Sequence, residues 1–513
     1  MRAAVIDIGS NSIKLAIGEV ESGGSEMNIL EFLKSVVPIS KHTFLKGTIP
    51  QEIISQTVSV LEKFKQKMKE YEVENVIAIA TTAIREAKNS DIFIDTVYRK
   101  TGINIELLAV GDVVYYIDAY ISYKLKDTYP IHDKNLLIAE LGTGGMDVSV
   151  LRKGFTLFTI GLPIGTFRLK QLSEELEGSV DENIEAVREY IENEFSYLKS
   201  ILPNIKIDDI ILIDENYSPY LSSFLPEKKI NTKLYQISSD EVARLSSEFE
   251  DRRAEETSKT FKVTHEVAST MPAYASILGG LYSFLQGKSL YIFETSLAEA
   301  ILANMLMGIE IAKKYDKTNQ LAAVAKYLCQ RYNVNMDHAQ YVSAASKTLF
   351  DALKGPMGLK DEEGTYLMMA AWLHDIGMFI HNRAHHKHTE YVLGNLSFFR
   401  LTTEEIKLIS CVARYHRKAL PSVLHPVYAS LPEGKHILVQ KLSAILRMAN
   451  ALDRSHKQKA RNIEVRLDKS QDVSVIVKTQ SNFVLEKTDF SQKKKMYEEI
   501  TGNKVKLEIR NDA

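Results

Sequence analysis

Ala4-Val5-Ile6-Asp7-Ile8-Gly9-Ser10-Asn11-Ser12-Ile13-Lys14-Leu15 returns in altered form as Leu137-Ile138-Ala139-Glu140-Leu141-Gly142-Thr143-Gly144-Gly145-Met146-Asp147-Val148-Ser149-Val150. Each copy is an apolar run, a carboxylate, a turn of small residues, and a second alternating run. That order predicts strand, tight turn, strand. Small turn residues leave backbone N–H groups and hydroxyls uncovered, and such a nest binds phosphate oxygens. A carboxylate beside it, Asp7 in one copy and Glu140 in the other, suits a hydrated cation such as Mg²⁺. A duplicated domain would set two phosphate loops on facing walls of one cleft. The alternative is a pair of unrelated hairpins that share common turn residues.

Working outward, 513 residues exceed what one core supports, so three or four domains are expected. Residues 1–125 read as strands followed by helices, with a helix over Gln51–Tyr71 and a buried strand at Val76–Ala80. Residues 126–305 repeat the plan, with a helix over Val180–Ile201 and a strand at Ile210–Ile213. Residues 306–455 read as helical, and 456–513 as a small α+β tail: strands at Ile463–Leu467, Val473–Val477 and Lys504–Ile509, and a helix over Ser491–Thr501. A net charge of −2 implies no bulk attraction to nucleic acid or anionic membrane, so a polyanion site must be a local basic patch. The 45% hydrophobic content is ordinary for a globular protein, and no apolar run approaches the ~20 residues of a membrane span. The two cysteines, Cys329 and Cys411, build no disulfide framework and suit a cytoplasmic protein; the first residues enter a strand pattern at once, so no leader is expected.

The helical region carries a second constellation: His338, His374-Asp375, His381, His385, His386, His388, His416 and Asp453. His374 and Asp375 end the apolar run Leu367–Leu373. Imidazole nitrogens and carboxylate oxygens suit Mn²⁺, Fe or Zn²⁺. The set resembles the ligands of HD-type metal-dependent phosphohydrolases. On that resemblance His338, His374, Asp375 and Asp453 form the centre, and Asp375 bridges to a second metal on His386 and His416. A hydrogen-bonded His–Asp network without metal would satisfy the same groups. Arg414, Arg417 and Lys418, around His416, either guide a polyanion chain or form a solvated helix end.

Asp7–Ser12 resembles the opening motif of the Ppx/GppA phosphatases, and Ala80-Thr81-Thr82-Ala83-Ile84-Arg85-Glu86-Ala87-Lys88-Asn89 their second motif, whose Arg faces phosphate. Gly165–Leu169 is similar to the segment after their second phosphate loop, and Arg414–Ala419 and Ala451–His456 to the C-terminal half of their long members. The resemblance implies α/β plus α architecture: a duplicated ribonuclease-H-like fold of the actin, sugar-kinase and Hsp70 superfamily, an HD-like helical domain, and the α+β tail. It implies hydrolysis of a terminal phosphoanhydride of polyphosphate or a guanosine polyphosphate by a cytoplasmic homodimer. Asp7, Glu140 and Asp147 would surround Mg²⁺, and Arg85 would stabilise the phosphate charge. Gly9, Ser10, Asn11, Ser12, Gly142, Thr143, Gly144 and Gly145 would hold the terminal phosphate.

The chain departs from the family pattern in four places, the first being the second phosphate loop, which reads Glu140-Leu141-Gly142-Thr143-Gly144-Gly145-Met146-Asp147 where the family has Asp-Ile-Gly-Gly-Gly-Ser-Thr-Glu. The general-base Glu falls on Val114, within Gly111-Asp112-Val113-Val114-Tyr115-Tyr116. The third Gly-rich loop is replaced by Asp214-Glu215-Asn216-Tyr217-Ser218-Pro219, and a late motif reads Ser296-Leu297-Ala298-Glu299-Ala300. Valine accepts no proton, and general-base help is worth ~10²–10⁴-fold. Weak activity is therefore expected. Chemistry at the histidine cluster with a phosphate-sensing N-terminal half, or a non-enzymatic sensor, are the alternatives.

Overall fold

The computed structural model describes residues 1–21, 26–220, 230, 233–250, 252–285, 290–313, 315–396, 398–417 and 419–510. The chain forms two compact units, Met1–Lys317 and Thr318–Ala513.

In the first unit the repeated motif forms hairpins at the heart of two sheets. One sheet holds β1 (Arg2–Ile8), β2 (Ser12–Glu19), β3 (Asn28–Val36), β4 (Asn75–Ala80) and β5 (Ile105–Leu107), in the order β3-β2-β1-β4-β5. The other holds β6 (Asn135–Leu141), β7 (Met146–Arg152), β8 (Phe155–Leu162), β9 (Asp209–Ile213), β10 (Leu234–Ile237) and β11 (Leu290–Phe293). Its order, β8-β7-β6-β9-β11-β10, repeats the first plan with one strand added. In each sheet two hairpin turns join antiparallel strands, and the next strand returns parallel after a helical crossover. The central strands are buried on both faces, as near-continuous apolar runs require. Helices cover the faces: Gln51–Glu70 packs Ile54, Leu61 and Phe64 into the first core, and Val180–Ile201 packs Val187, Ile191 and Leu198 into the second. The latter helix starts where the sequence predicts because Ser179 and Glu182 form a reciprocal capping box.

The duplication is exact in register: Asp7 opposes Lys14 across β1 and β2, and Glu140 opposes Asp147 across β6 and β7. Helix Leu297–Ala312 packs on helix Val110–Lys124 and on β1 and β2. The boundary expected after residue 305 falls inside that returning helix.

In the second unit, helices Met336–Leu353, Glu363–Leu373, His385–Gly394, Thr403–Arg414 and Glu433–Ala451 pack around a common interior. The tail forms β12 (Asn462–Leu467), β13 (Val473–Lys478) and β14 (Val505–Arg510), with β13 between the other two. The single tail helix expected over Ser491–Thr501 is two, Val484–Lys493 and Lys495–Thr501, and both pack on Glu433–Ala451. The tail thus shares its core with the helices rather than forming a separate domain at 456.

Candidate functional site

The two hairpin turns meet. Gly9 N–H donates to Ser12 O at 3.0 Å and Gly142 N–H to Gly145 O at 2.9 Å, so both loops close the same tight turn. A Cβ on Gly144 would strike Ser10 Oγ and lie 3.1 Å from Phe44 and 3.3 Å from Thr82, so only glycine lets the loops touch there. Between them is a cavity of about 60 Å³, lined by Asp7, Gly9, Ser10, Ser12 and Lys14 from the first hairpin and Glu140, Gly142–Gly145 and Asp147 from the second. Thr81, Thr82, Val113, Glu215 and Asn216 complete the wall. Asp7 and Glu140 therefore occupy equivalent strand ends and face one cleft.

Lys14 Nζ lies 2.6 Å from Glu215 and 3.7 Å from Asp7. Burial alone would lower its pKa, but Glu215 and then Asp7 hold it above the ordinary lysine range. Burial pushes the Asp7 carboxyl up, against the pull of Lys14. Burial, reinforced by Asp147, pushes Glu140 up to about 8, and burial raises Asp147 to about 6 against the pull of Arg85. Asp7, Glu140, Asp147 and Glu215 thus crowd one cavity around a single lining cation among the described residues, Lys14. Oxygen donors alone, in excess of positive charge, fit a hard divalent cation such as Mg²⁺.

Not every expected residue faces the cavity. Asn11 Nδ2 donates to Glu266 at 2.7 Å, and Arg85 Nη1 donates to Leu108 O at 2.7 Å; neither side chain is on the wall. Val113 lines the cleft, whereas Val114, the position that aligns with the family's base, is buried and is not among the residues that line it. Lys14 and Glu215 were missed by the sequence reading. The hairpin repeat carries the signal for Lys14, since it aligns with Asp147. Arg168, inside the Gly165–Leu169 motif, donates from Nε to Gly144 O at 2.8 Å and from Nη2 to both Glu86 oxygens, tying the second loop to the end of helix Thr82–Arg85.

The histidine cluster forms within the second unit. Asp375 follows the end of helix Glu363–Leu373, so its carboxylate enters the interior between helices. His374 Nε2 lies 3.6 Å and His338 Nε2 4.0 Å from Asp375 Oδ2; His385 Nε2 lies 3.2 Å and His416 Nε2 3.6 Å from Oδ1. Burial lowers His374 to about 4 and holds His416 well below its ordinary value, so both rings are neutral. The structure places His385, not His386, against Asp375, and brings in His456, which the sequence reading left out. His386 Nδ1 is buried without a hydrogen bond among the described residues. Asp453 does not face the centre: its Oδ2 accepts from His338 Nδ1 at 2.8 Å and its Oδ1 from Gln458 N–H at 2.7 Å. Arg414 is committed to a buried ion pair with Glu390 rather than to a polyanion surface. Arg417 lines the cavity beside the cluster, and Lys418 lies outside the described residues.

The fold is a duplicated α/β one whose paired glycine turns close on a small acidic cavity. The profile of the Ppx/GppA phosphatase family matches residues 16–308, and that of Ppx/GppA phosphatase domain III matches residues 322–498. The chain belongs to the Ppx/GppA phosphatase family, whose members hydrolyse phosphoanhydrides. It is similar to the guanosine-5'-triphosphate,3'-diphosphate pyrophosphatase of Pseudoalteromonas atlantica, 20% identical over 469 residues that cover 87% of this chain and 85% of that protein. The bifunctional 3-dehydroquinate synthase/phosphatase of Fusobacterium nucleatum is 29% identical over 210 residues, 38% of this chain; the match spans 30% of that protein. Among solved structures, an exopolyphosphatase from Cytophaga hutchinsonii shares the fold at TM-score 0.53 and 19% identity, over 61% of this chain and 99% of that one. The Aquifex aeolicus Ppx/GppA family member does so at 0.51 and 22%, over 60% and 98%. No helix among the described residues is long and apolar enough to cross a membrane.

Proposed function

We propose that the first unit hydrolyses the terminal phosphoanhydride of inorganic polyphosphate or of a guanosine polyphosphate, slowly. The observation that carries this reading is the pairing of two equivalent glycine turns, which close on a small cavity of about 60 Å³ walled by four carboxylates. Turn amides and the Ser10, Ser12 and Thr143 hydroxyls hold the terminal phosphate. Asp7, Glu140 and Asp147 would hold Mg²⁺, which when bound neutralises the acidic wall and polarises the phosphate. Lys14, fixed by Glu215, places a positive charge beside the same pocket and compensates part of the substrate charge. Water attacks the terminal phosphorus, the bridging P–O bond breaks, and the shortened chain leaves with the electron pair. Among the described residues that line the cavity, the water proton has no dedicated acceptor. Three wall carboxylates are assigned to the cation, the fourth is held by Lys14, and Val113 stands where the family's base segment meets the cleft. Turnover is therefore slow.

The test is product analysis during partial digestion of a long polyphosphate with Mg²⁺. End-wise attack releases orthophosphate as the sole small product while chains shorten gradually; fragments of intermediate length would contradict it. Loss of phosphate release in His374→Ala but not in Asp147→Ala would move the chemistry to the second unit.

A further inference from the structure

The four histidines around Asp375 are held in one tautomer by what lies behind them. His374 Nδ1 donates to Ala371 O at 2.8 Å, His416 Nδ1 to Ala413 O at 2.6 Å, and His385 Nδ1 to Asn382 O at 3.1 Å. His338 Nδ1 donates to the Asp453 carboxylate at 2.8 Å. Carbonyl and carboxylate oxygens only accept, so each Nδ1 carries the proton and each Nε2 presents a bare lone pair. Arg417 Nη1 also approaches His385 Nδ1, but at 3.5 Å, and the nearer carbonyl decides that tautomer.

Those lone pairs face one another. His338 and His374 Nε2 are 3.3 Å apart, and His385 and His416 Nε2 are 3.2 Å apart. Neither approach is a hydrogen bond in this tautomer. Both match the ~3.0–3.4 Å between two ligands bound at ~2.1 Å to one ion with an angle of roughly 90–110°. Asp375 gives Oδ2 to the first pair and Oδ1 to the second. His456, stacked on His338 at 3.6 Å between ring centres, is within ligand range of the first position. Backbone and carboxylate partners behind ligating imidazoles are the usual means of fixing a metal site.

The cluster opens on a cavity of about 550 Å³ whose wall carries Arg417, Arg447, Arg454 and Lys493. Arg447 Nη1 donates to Tyr415 O and Ala419 O, while its Nε is buried without a hydrogen-bond partner among the described residues. The volume suits a small organic ligand, and clustered guanidinium groups beside a metal pair select phosphate.

We propose that the second unit is a separate two-metal phosphohydrolase acting on a small phosphate monoester, with Asp375 bridging one ion on His338, His374 and His456 to another on His385 and His416. Nitrogen-rich ligands favour Mn²⁺, Fe²⁺ or Zn²⁺ over Mg²⁺. A water between the ions gives up one proton and attacks phosphorus as hydroxide. The P–O ester bond breaks, its electron pair leaves on the alcohol oxygen, and that oxygen takes the released proton. Water and ester yield alcohol and phosphate, with no redox partner.

The inference does not depend on the first unit's reading, and the test is run in full-length chain carrying Asp7→Ala. Metal content after Mn²⁺ loading and removal of excess is measured by elemental analysis, and p-nitrophenyl phosphate reports hydrolysis. The expected result is two ions per chain, one lost in His385→Ala and neither lost in His386→Ala. Asp375→Ala removes both ions and lowers hydrolysis by at least about 100-fold. Arg454→Gln raises KM about tenfold with metal content unchanged. Equal loss of metal from His385→Ala and His386→Ala, or no more metal in the parent than in Asp375→Ala, overturns the site. Two bound ions with no release of p-nitrophenolate overturn the hydrolase assignment.

Discussion

Placing a carboxylate on the cleft wall, beside the position that aligns with the family's base, is the sharpest probe of the cleft. Val113 is 1% exposed and lies on the wall with Asp7, Glu140, Asp147 and Glu215. Val113→Glu adds a proton acceptor there, and a correctly placed base is worth ~10²-fold or more, about 3 kcal/mol of barrier. It also adds a carboxyl to a crowded acidic pocket, which costs roughly 1–3 kcal/mol of stability when the group is buried without a partner. The new group titrates high in that setting, as Glu140 does at about 8. Mg²⁺ should offset the cost, so the variant melts below the parent without Mg²⁺ and close to it with Mg²⁺. The assay is kcat for phosphate release from polyphosphate at saturating Mg²⁺, beside thermal melts with and without the ion. Val114→Glu is the control: Val114 is 3% exposed and is not among the residues that line the cavity, so stability falls and kcat does not rise. A folded Val113→Glu chain with unchanged kcat, or a gain in Val114→Glu instead, would refute the placement of the missing base.

Further expectations concern the same cleft. Glu140 and Asp147 titrate above their unfolded values, near 8 and 6, so the folded chain binds more protons than the unfolded one; without Mg²⁺ their contribution to stability is present at about pH 4 and is lost as pH rises towards 8, and Mg²⁺ flattens that slope in pH-dependent melts. A melting temperature that rises over this range without Mg²⁺ would reverse the assigned sign. Gly144→Ala forces a methyl against Ser10, Phe44 and Thr82, costing about 1–3 kcal/mol and most of the phosphate release; wild-type turnover in that variant would show that the loops need not touch. Arg168→Ala frees Gly144 O and Glu86, and should raise KM for polyphosphate more than it lowers stability, as compared by kinetics and denaturant titration.

The hairpins were legible because their pattern is local: strand alternation, a carboxylate and a glycine turn occur within about fifteen residues of each copy. Their facing arrangement followed from the repeat. The misplacements share one cause. Val113 and Val114 are adjacent on a helix, as are His385 and His386, and neighbouring helical residues point about 100° apart. Which of the two turns inward depends on helix phase and on where the helix begins, and both are set by packing. His385 opens its helix, so the preceding loop fixes its direction. Glu215 reaches the cleft from beyond the end of β9, more than sixty residues past the second hairpin, and only the folded unit brings it near Lys14 on the other sheet. The resemblance to HD-type phosphohydrolases makes Asp453 a ligand; in the folded chain its carboxylate bonds His338 from behind.

The central claim is that phosphate chemistry resides between the paired glycine turns of the first unit. Its most direct measurement is Mg²⁺-dependent phosphate release from polyphosphate by the full-length chain beside its Asp7→Ala and Asp375→Ala variants. The account predicts slow release that Asp7→Ala abolishes and Asp375→Ala leaves intact; release that survives Asp7→Ala and disappears with Asp375→Ala would contradict it.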